Sequence, residues 1–246
     1  MDEKDNIYDK IRELLGELPG SLTVMEQQID ADVQFEYYHY ARTLGADFDS
    51  EKILRERDDL FMPDIPEESK KTLLIRLATI GSIEAFRTLE KFVRDRENGL
   101  TDWATLALQE NRLLLESKLL DENKVLISSG LGGKGLKIRY FTVLQSRSGC
   151  GFSDFEQKLV SSEIRFAMKN CKGDLESVHF DHELCTIISV IPLHVPIQGL
   201  FHDFLKECNQ YGEFLNPDCM ITNVKILSYD QIRKLIGCRE TSKKPG

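Results

Sequence analysis

"ISSGLGGKGLKIRYFTVL", residues 127–144, marks the point at which the chain changes from helical to strand-like periodicity. Four glycines and one lysine fall within positions 130–135, between two runs rich in β-forming residues. A phosphate-binding loop passes from a strand into a helix, because the helix N-terminus supplies the converging N–H groups. This loop enters a second strand instead, and its Gly-Lys pair is not followed by Ser or Thr. The stretch therefore predicts a β-hairpin.

The glycines of this hairpin are expected to adopt positive φ angles, which glycine reaches without steric cost. They are Gly130, Gly132, Gly133 and Gly135. The alternative is an anion- or partner-binding loop, because three cations cluster at the hairpin, namely Lys134, Lys137 and Arg139. Their charge is suited to a phosphate, a carboxylate or the acidic half of the same protein.

Residues 124–246 show the two-residue period of β-strands, interrupted by helical stretches. The predicted order is strand, strand, helix, strand, strand, helix, strand, helix, beginning with "KVLISS" and "LKIRYFTVLQ". Helices on one face of a mostly antiparallel sheet make an α+β sandwich. A ferredoxin-like arrangement with an extra edge strand is one option.

The first helix of this half, "SDFEQKLVSSEIRFAMKNC", opens with a capping box formed by Ser153 and Glu156. Its apolar residues recur at helical spacing. They predict one broad apolar face, made of Phe155, Leu159 and Phe166 with Val160, Ile164 and Ala167 beside them. The later run "LCTIISVIPL" is almost continuously apolar, as expected for a central strand covered on both faces.

Residues 1–123 show helical periodicity with little alternation. The segment "NIYDKIRELLGEL", residues 6–18, predicts a first amphipathic helix, and "MEQQIDADVQFEYYHYARTL" predicts a second. The aromatic cluster "FEYYHY" in the second is open to two interpretations. Tyrosine is enriched at interface anchors, which suggests a partner-binding surface. Core packing is favoured, because the aromatic stripe has helical spacing.

Residues 67–120 are the most organised part of the first half. The residues "LLIRLATIGSIEAFRTLEKFVRDREN", followed by "WATLALQENRLL", predict a helix, a Gly-Ser corner, a second helix with Leu89 and Phe92, and an Ala-containing third helix. This segment resembles HEAT-like α-helical repeats. The resemblance implies stacked helix pairs that form a scaffold and bind other proteins on a concave face. An antiparallel helical bundle is the alternative arrangement of the same helices.

The charge of the chain is distributed unevenly. The net charge is −9, but residues 1–123 carry 28 acidic and 16 basic side chains, whereas residues 124–246 carry 13 acidic and 16 basic. We therefore predict two domains, an acidic helical domain over residues 1–123 and an α+β domain over residues 124–246. The acidic half should repel nucleic acid and anionic lipid, so neither is expected as a partner.

The cysteines and the N-terminus bear on the compartment. None of the six cysteines forms a C-x-x-C pair: Cys150, Cys171, Cys185, Cys208, Cys219 and Cys238. The chain has no run of eighteen apolar residues, and the stretch "MDEKDNIYDK" lacks the apolar core of a secretory signal. We expect reduced thiols in a cytoplasmic protein with no membrane partner.

Two groups of residues have the types that metal sites use. In "HFDHE", His179, Asp181 and Glu183 occupy alternate positions, and on one strand face they could ligate a metal. Solvent exposure at a hairpin tip explains the same polar residues and is favoured. Glu36 and His39 form a Glu-x-x-His on a helix, but di-iron bundles need two such motifs and the sequence offers no helical second copy.

Nucleophilic chemistry has one weak candidate. Cys150 lies between two glycines just before a predicted helix, where a helix N-terminus can activate a thiol. No spacing ties a histidine to it, and no G-x-S-x-G elbow is present in the sequence. A structural thiol is therefore favoured.

These patterns lead to two hypotheses of different classes. The leading one is a non-enzymatic, cytoplasmic interaction, regulatory or scaffold protein whose partner is a protein. It follows from the helical scaffolding and from the lack of a convergent acid, base and nucleophile in the sequence. The alternative is an enzyme that binds a small molecule or a metal in the α+β domain, near the glycine loop at 130–135 or the turn at 179–183. The sequence assigns neither a cofactor nor an oligomeric state.

Overall fold

The computed structural model describes residues 22–45, 47–95, 99–122 and 124–242. The helix predicted over residues 6–18 lies outside them. The described chain divides into two compact units. The first unit ends at Ser128, and the second begins at Ser129.

Eight α-helices and seven strands are present in the described part of the chain. The first unit contains β1 (Leu22–Val24), α1 (Ala31–Thr43), α2 (Ser50–Arg55), a 3₁₀ helix (Arg57–Phe61), α3 (Glu67–Thr79), α4 (Ile83–Arg94), α5 (Thr101–Leu120) and β2 (Val125–Ile127). The second unit contains β3 (Gly133–Lys134), β4 (Lys137–Gln145), α6 (Asp154–Asn170), β5 (Asp174–Asp181), β6 (Leu184–Pro192), α7 (Ile197–Asn209), β7 (Met220–Thr222) and α8 (Tyr229–Ser242). This content confirms the predicted α+β class.

The core of the first unit lies between α3, α4 and α5, each of which contacts the other two. Leu74, Leu89 and Leu106 come from the three helices and are almost completely buried. Because apolar positions recur every three or four residues, each helix turns one side to the same core. Tyr37 of α1 adds to it by an edge-to-face contact with Trp103, with ring centroids 5.3 Å apart.

A buried side chain from α5 closes the corner between α3 and α4. Asn111 is fully buried, and its amide nitrogen donates to the carbonyl oxygens of Leu77 and Ile80, both at 2.8 Å. The end of a helix leaves its last carbonyls without intrahelical donors, so this amide supplies what α3 lacks. Ser82 then caps α4 by accepting a hydrogen bond from the Ala85 N–H.

The first unit also contains a two-stranded parallel sheet. β1 pairs with β2, with Leu22 opposite Val125 and Val24 opposite Ile127. The strand predicted from "KVLISS" is therefore present, but it belongs to this small sheet and not to the sheet of the second unit. The expectation of an all-helical first region is corrected accordingly.

The second unit is built on a sheet with the order β7–β4–β6–β5, and β3 pairs with the start of β4. Every neighbouring pair in it is antiparallel. This confirms the predicted antiparallel sheet. With α6 after β4 and α7 after β6, the element order is βαββαβ, which is the ferredoxin-like arrangement.

Helices cover both faces of this sheet, so the expectation of helices on one face only was wrong. α6 and α7 pack against each other, and Cys208 of α7 lies near Cys185 of β6. On the opposite face, Ile232 of α8 packs in a cluster with Phe141 and Val143 of β4. Successive residues of a strand point to opposite faces, which explains why β4 is buried along most of its length.

Candidate functional site

The glycine-rich stretch forms the predicted hairpin, since β3 pairs with the start of β4 and no helix follows the loop. Gly132 and Gly135 have φ angles of 66° and 59°. The expected positive φ is confirmed at these two positions. Gly130 and Gly133 lack it, so their role differs from the one expected.

Gly130 is required by a close approach of two backbone segments. A Cβ atom at this position would lie 1.8 Å from the carbonyl oxygen of Val224. The neighbouring N–H of Leu131 donates to the carbonyl oxygen of Asn223 at 3.0 Å. The loop is thus attached to the segment that follows β7, and this contact explains a glycine without positive φ.

The cations of the hairpin face carboxylates of β5. The Lys137 Nζ atom lies 2.8 Å from the Asp174 carboxylate. Arg139 donates to both carboxylate oxygens of Glu176, through Nε at 2.7 Å and a terminal nitrogen at 2.8 Å. Lys134 is exposed. Two of the three residues predicted to bind an anion or a partner therefore already hold carboxylates of the same unit.

These ion pairs change the electrostatics of the β5 carboxylates. The hydrogen bond from Lys137 lowers the pKa of Asp174, and the charges of Lys137 and Lys134 act in the same direction. The hydrogen bonds from Arg139 lower the pKa of Glu176. An incoming anion would have to compete with two carboxylates that stay ionised at neutral pH.

The turn between β5 and β6 separates its candidate metal ligands. His179 and Asp181 are exposed, whereas Glu183 is buried. His182 at the tip has a φ of 50°, so the chain reverses between Asp181 and Glu183. In the described ranges no group of three or more His, Cys, Asp and Glu side chains could hold a metal ion, and the structure does not assemble His179, Asp181 and Glu183 into one.

Glu183 instead holds α8 against the sheet. Its carboxylate lies 2.7 Å from a terminal nitrogen of Arg233 and accepts a hydrogen bond from the Tyr229 hydroxyl at 3.2 Å. The Arg233 guanidinium also lies over the Tyr229 ring, 5.4 Å from its centroid. A buried carboxylate needs such partners, because burial without them is costly. This contact could not be predicted from the sequence, because it depends on where α8 packs.

The Glu-x-x-His pair of α1 is also engaged locally. Glu36 accepts a hydrogen bond from the Lys71 ammonium at 3.1 Å. His39 stacks on Phe35, with ring centroids 5.9 Å apart. The two side chains thus take part in separate contacts on the surface of α1.

The aromatic cluster of α1 divides between core and surface. Tyr37 is fully buried, which confirms core packing for this residue. Phe35 is 74% exposed and Tyr38 is 37% exposed. The outward residues Phe35, Tyr38 and His39 follow a helical spacing and form one exposed aromatic patch on α1.

The buried end of this cluster carries a perturbed carboxyl. The Tyr37 hydroxyl donates to Glu110 of α5 at 2.7 Å. Burial raises the pKa of Glu110, although the hydrogen bond from Tyr37 opposes the shift. Burial also raises the pKa of Tyr37 well above its usual value, and the Glu110 charge adds to this. The pair links α1 to α5 and lies inside the first unit.

Cys150 lies four residues before the first residue of α6 and is not part of its N-terminal cap. It is exposed, and its N–H donates to the Ser148 hydroxyl. The helix begins at Asp154, where Ser153 and Glu156 form the predicted capping box. The Ser153 hydroxyl accepts the Glu156 N–H, so the cap of α6 is formed by the residues of the helix end itself.

The predicted apolar face of α6 is divided between opposite sides of the helix. Val160 and Ile164 are fully buried. Phe155 and Phe166 are 60% and 61% exposed, and Leu159 between them is half-buried. We call Phe155, Leu159 and Phe166 the outward stripe of α6. The sequence feature that could have predicted this stripe is the width of the apolar face, which is larger than one packing partner covers.

A cleft of about 300 Å³ lies beside the start of α5 in the first unit. Its charged and aromatic lining consists of Glu67, Lys71, Asp102 and Trp103. Lys71 is held by Glu36, Glu67 and Glu68 and lies 4.8 Å from the centroid of the Trp103 ring. The only cation in the lining is therefore already compensated within the described residues. None of the residues that line the cleft belongs to either loop that the sequence marked for a ligand.

No protein-family model matches the chain, and no curated protein is significantly similar to it. Among the described helices, none has both the length and the apolar composition that crossing a membrane requires. A proposal for the function therefore rests on the structure of each of the two units.

Proposed function

We propose that this protein is a non-enzymatic, cytoplasmic interaction or scaffold protein whose partner is another protein. The observation that carries the proposal is the outward stripe of α6. Its two phenylalanines are more than half exposed on one side of a helix whose other side is fully packed. Large apolar side chains exposed on one side of a helix are typical of interaction sites, and aromatic residues are enriched at interfaces.

The first unit supports the same proposal by its exposed aromatic patch on α1. Phe35 is stacked on His39 and therefore held in a defined orientation. A pre-oriented aromatic side chain loses little conformational entropy on binding, which favours its use as an anchor. Each unit thus presents aromatic side chains to solvent.

We propose that the helices of residues 67–120 act as a HEAT-like scaffold or as a helical bundle that supports the exposed aromatic patch on α1. Their side chains pack together into one apolar core. In either arrangement, the functional surface is made by the outer sides of helices.

A non-catalytic role is supported by the use of the polar groups. Arg139 is committed to Glu176, and Glu183 is committed to Arg233. These contacts join elements of the second unit. Their contacts within the fold account for these side chains without a catalytic role.

The proposal is tested by affinity capture from native lysate with quantified recovery of bound proteins. We expect the wild type and the control Tyr211→Ser to retain the same partner, since Tyr211 is an exposed aromatic residue outside both surfaces. Recovery should fall about tenfold for Phe35→Ser or for Phe155→Ser combined with Phe166→Ser, because truncated anchors cost at least about 1.4 kcal/mol of binding free energy.

Circular dichroism should show that these variants stay folded. A partner retained equally by all variants would contradict the proposal. Thermal stabilisation of the second unit by a small molecule or a metal ion would instead favour an enzyme or ligand-binding protein.

A further inference from the structure

The outward stripe of α6 runs along the helix opposite its packed side. Phe155, Leu159 and Phe166 are separated by four and seven residues, so their side chains line up on one side of the helix. From the first to the last, the stripe is roughly 16 Å long at 1.5 Å per residue. This length matches about three turns of a partner helix.

Basic residues flank this stripe. Lys158, Arg165 and Lys169 are exposed and are separated by seven and four residues, so they also share one side of α6. Within the described chain, none of the three takes part in an ion pair, whereas Lys137 and Arg139 of the same unit do. The flank thus offers positive charge that the fold does not use.

The other side of the stripe is differently placed. Glu163 is half-buried, and its charge acts on the thiol of Cys208 in α7, whose pKa is raised to about 12 mainly by burial. This side of α6 therefore faces α7. An incoming segment can reach the stripe and its basic flank together from the side that α7 leaves open.

We propose that the outward stripe of α6, with its basic flank, docks an amphipathic helix of a partner protein that carries apolar residues on one side and carboxylates beside them. The inference rests on the proposed function and specifies the partner class. Apolar contact to the phenylalanines supplies affinity, and charge complementarity sets the orientation and excludes basic helices.

A second copy of this chain is a poorer occupant. In an antiparallel pair of α6 helices related by a two-fold axis, the same flank of each helix faces the other. Lys158 of one copy would lie beside Arg165 of the other. Like charges placed together in this way oppose pairing.

An anionic membrane surface is also disfavoured, because a helix that lies in a membrane interface buries its whole apolar face there. On α6 the other apolar side chains are packed inside the unit, and only the three side chains of the outward stripe are left for a membrane. Residues 6–18 of the chain itself have the apolar spacing of an amphipathic helix and make a third competing occupant. The experiment distinguishes all three.

The test uses the full chain and two synthetic helical peptides of about 14 residues, the length that spans the stripe. One peptide has leucine along one side and glutamate on both flanks, and its twin has lysine at every glutamate position. We expect fluorescence anisotropy to give a Kd about tenfold lower for the acidic peptide, with affinity that falls as salt is added.

The variants separate the two contributions. Phe155→Ser with Phe166→Ser should weaken the acidic peptide about tenfold or more, and Arg165→Glu with Lys169→Glu should remove the preference between the peptides. Tyr211→Ser and Lys206→Glu are the matched controls on exposed positions of the same unit, and neither should change binding.

Several results would overturn the inference. They are equal binding of both peptides, binding unaffected by the phenylalanine variants, and a dimer in analytical ultracentrifugation that dissociates in those variants. Stripe-dependent binding to phosphatidylserine vesicles, or binding of the acidic peptide only after deletion of residues 1–21, would also overturn it. The proposed function would survive all of these if capture of a protein partner still depended on Phe35.

Discussion

Helix α5 of the first unit and helix α6 of the second both repeat apolar residues every three or four positions. On α5, Leu106 and Leu108 are buried together with their neighbours. On α6, Ile164 is fully buried, but Phe155 and Phe166 are mostly exposed. Apolar residues with the same spacing are therefore buried in the core of α5, whereas on α6 some are buried and others are exposed at the surface.

The difference arises from the number of elements that surround each helix. α5 is contacted by α1, α3 and α4, so that more than one side of it is covered. α6 packs against α7 and β5. Periodicity indicates which residues share a side of a helix, but the neighbouring elements decide which sides are covered.

The largest effect is expected for Leu106→Ala in α5. The side chain is 1% exposed, and its truncation leaves a cavity in the core, so the free energy of unfolding should fall by about 3 kcal/mol. Urea unfolding followed by the fluorescence of Trp103, the single tryptophan, reports on this unit. Leu119→Ala is the control on the same helix, because Leu119 is 81% exposed. A loss below about 1 kcal/mol at Leu106 would show that α5 is less enclosed than described.

A smaller loss, about 2 kcal/mol, is expected for Asn111→Ala, since buried carbonyls of α3 lose their donor. Asn111→Leu restores the volume without the donor and should stay destabilised. Asn170→Ala on the exposed end of α6 is the control and should be neutral. Recovery of stability in the leucine variant would mean that the hydrogen bonds contribute little.

A change in pH dependence is expected for Glu110→Gln. Burial raises the pKa of Glu110 in the folded state, so its contribution is fully present below the unfolded pKa near 4.5 and is lost as pH rises through the folded value. Glutamine resembles the protonated form. The stability of the variant relative to wild type should therefore increase between pH 4 and pH 7, measured by urea unfolding. Glu84→Gln on the surface is the control, and an identical response in both variants would rule out the burial effect.

The smallest effect is expected for Phe166→Ser in α6. Its side chain is 61% exposed, so the substitution should change the free energy of unfolding by less than about 0.5 kcal/mol. Thermal unfolding followed by circular dichroism measures this change. Ile164→Ala, two residues away on the buried side, should cost about 3 kcal/mol. If Phe166→Ser destabilised the protein as much as Ile164→Ala, the outward stripe would belong to the core.

Much of the second unit could be predicted because its signals are local. The alternation along β4 and the reciprocal bonds between Ser153 and Glu156 require only neighbouring residues. A similar exchange between Ser228 and Gln231 precedes α8. Local patterns of this kind gave the order of helices and strands and the antiparallel sheet.

The features that could not be predicted depend on distant partners. β1 has only three residues and carries no recognisable pattern. β2 was predicted as a strand from "KVLISS", but its parallel partner lies about a hundred residues earlier in the chain and could not be predicted. Glu183 looked like a solvent-exposed turn residue, but α8 returns to bury it. Gly130 looked like a turn glycine, but Val224 requires it by proximity.

The candidate site illustrates the same limit. The sequence placed Lys137 and Arg139 together at the hairpin, but their carboxylate partners lie two strands away, beyond β6. The exposure of Phe155 required knowledge of what packs on α6. The sequence shows which residues are charged or apolar, but it does not show which of them are exposed and free to bind a partner.

The parallel pairing of β1 with β2 has a consequence for how this molecule could be rearranged. Because Leu22 lies opposite Val125, the polypeptide arrives at and departs from the helical unit at points roughly 10 Å apart, the span of a three-residue strand. A domain whose two ends lie close together can be inserted into a surface loop of an unrelated protein without separating the residues that flank that loop. The geometry of residues 22–128 therefore suits their insertion as a domain into another protein.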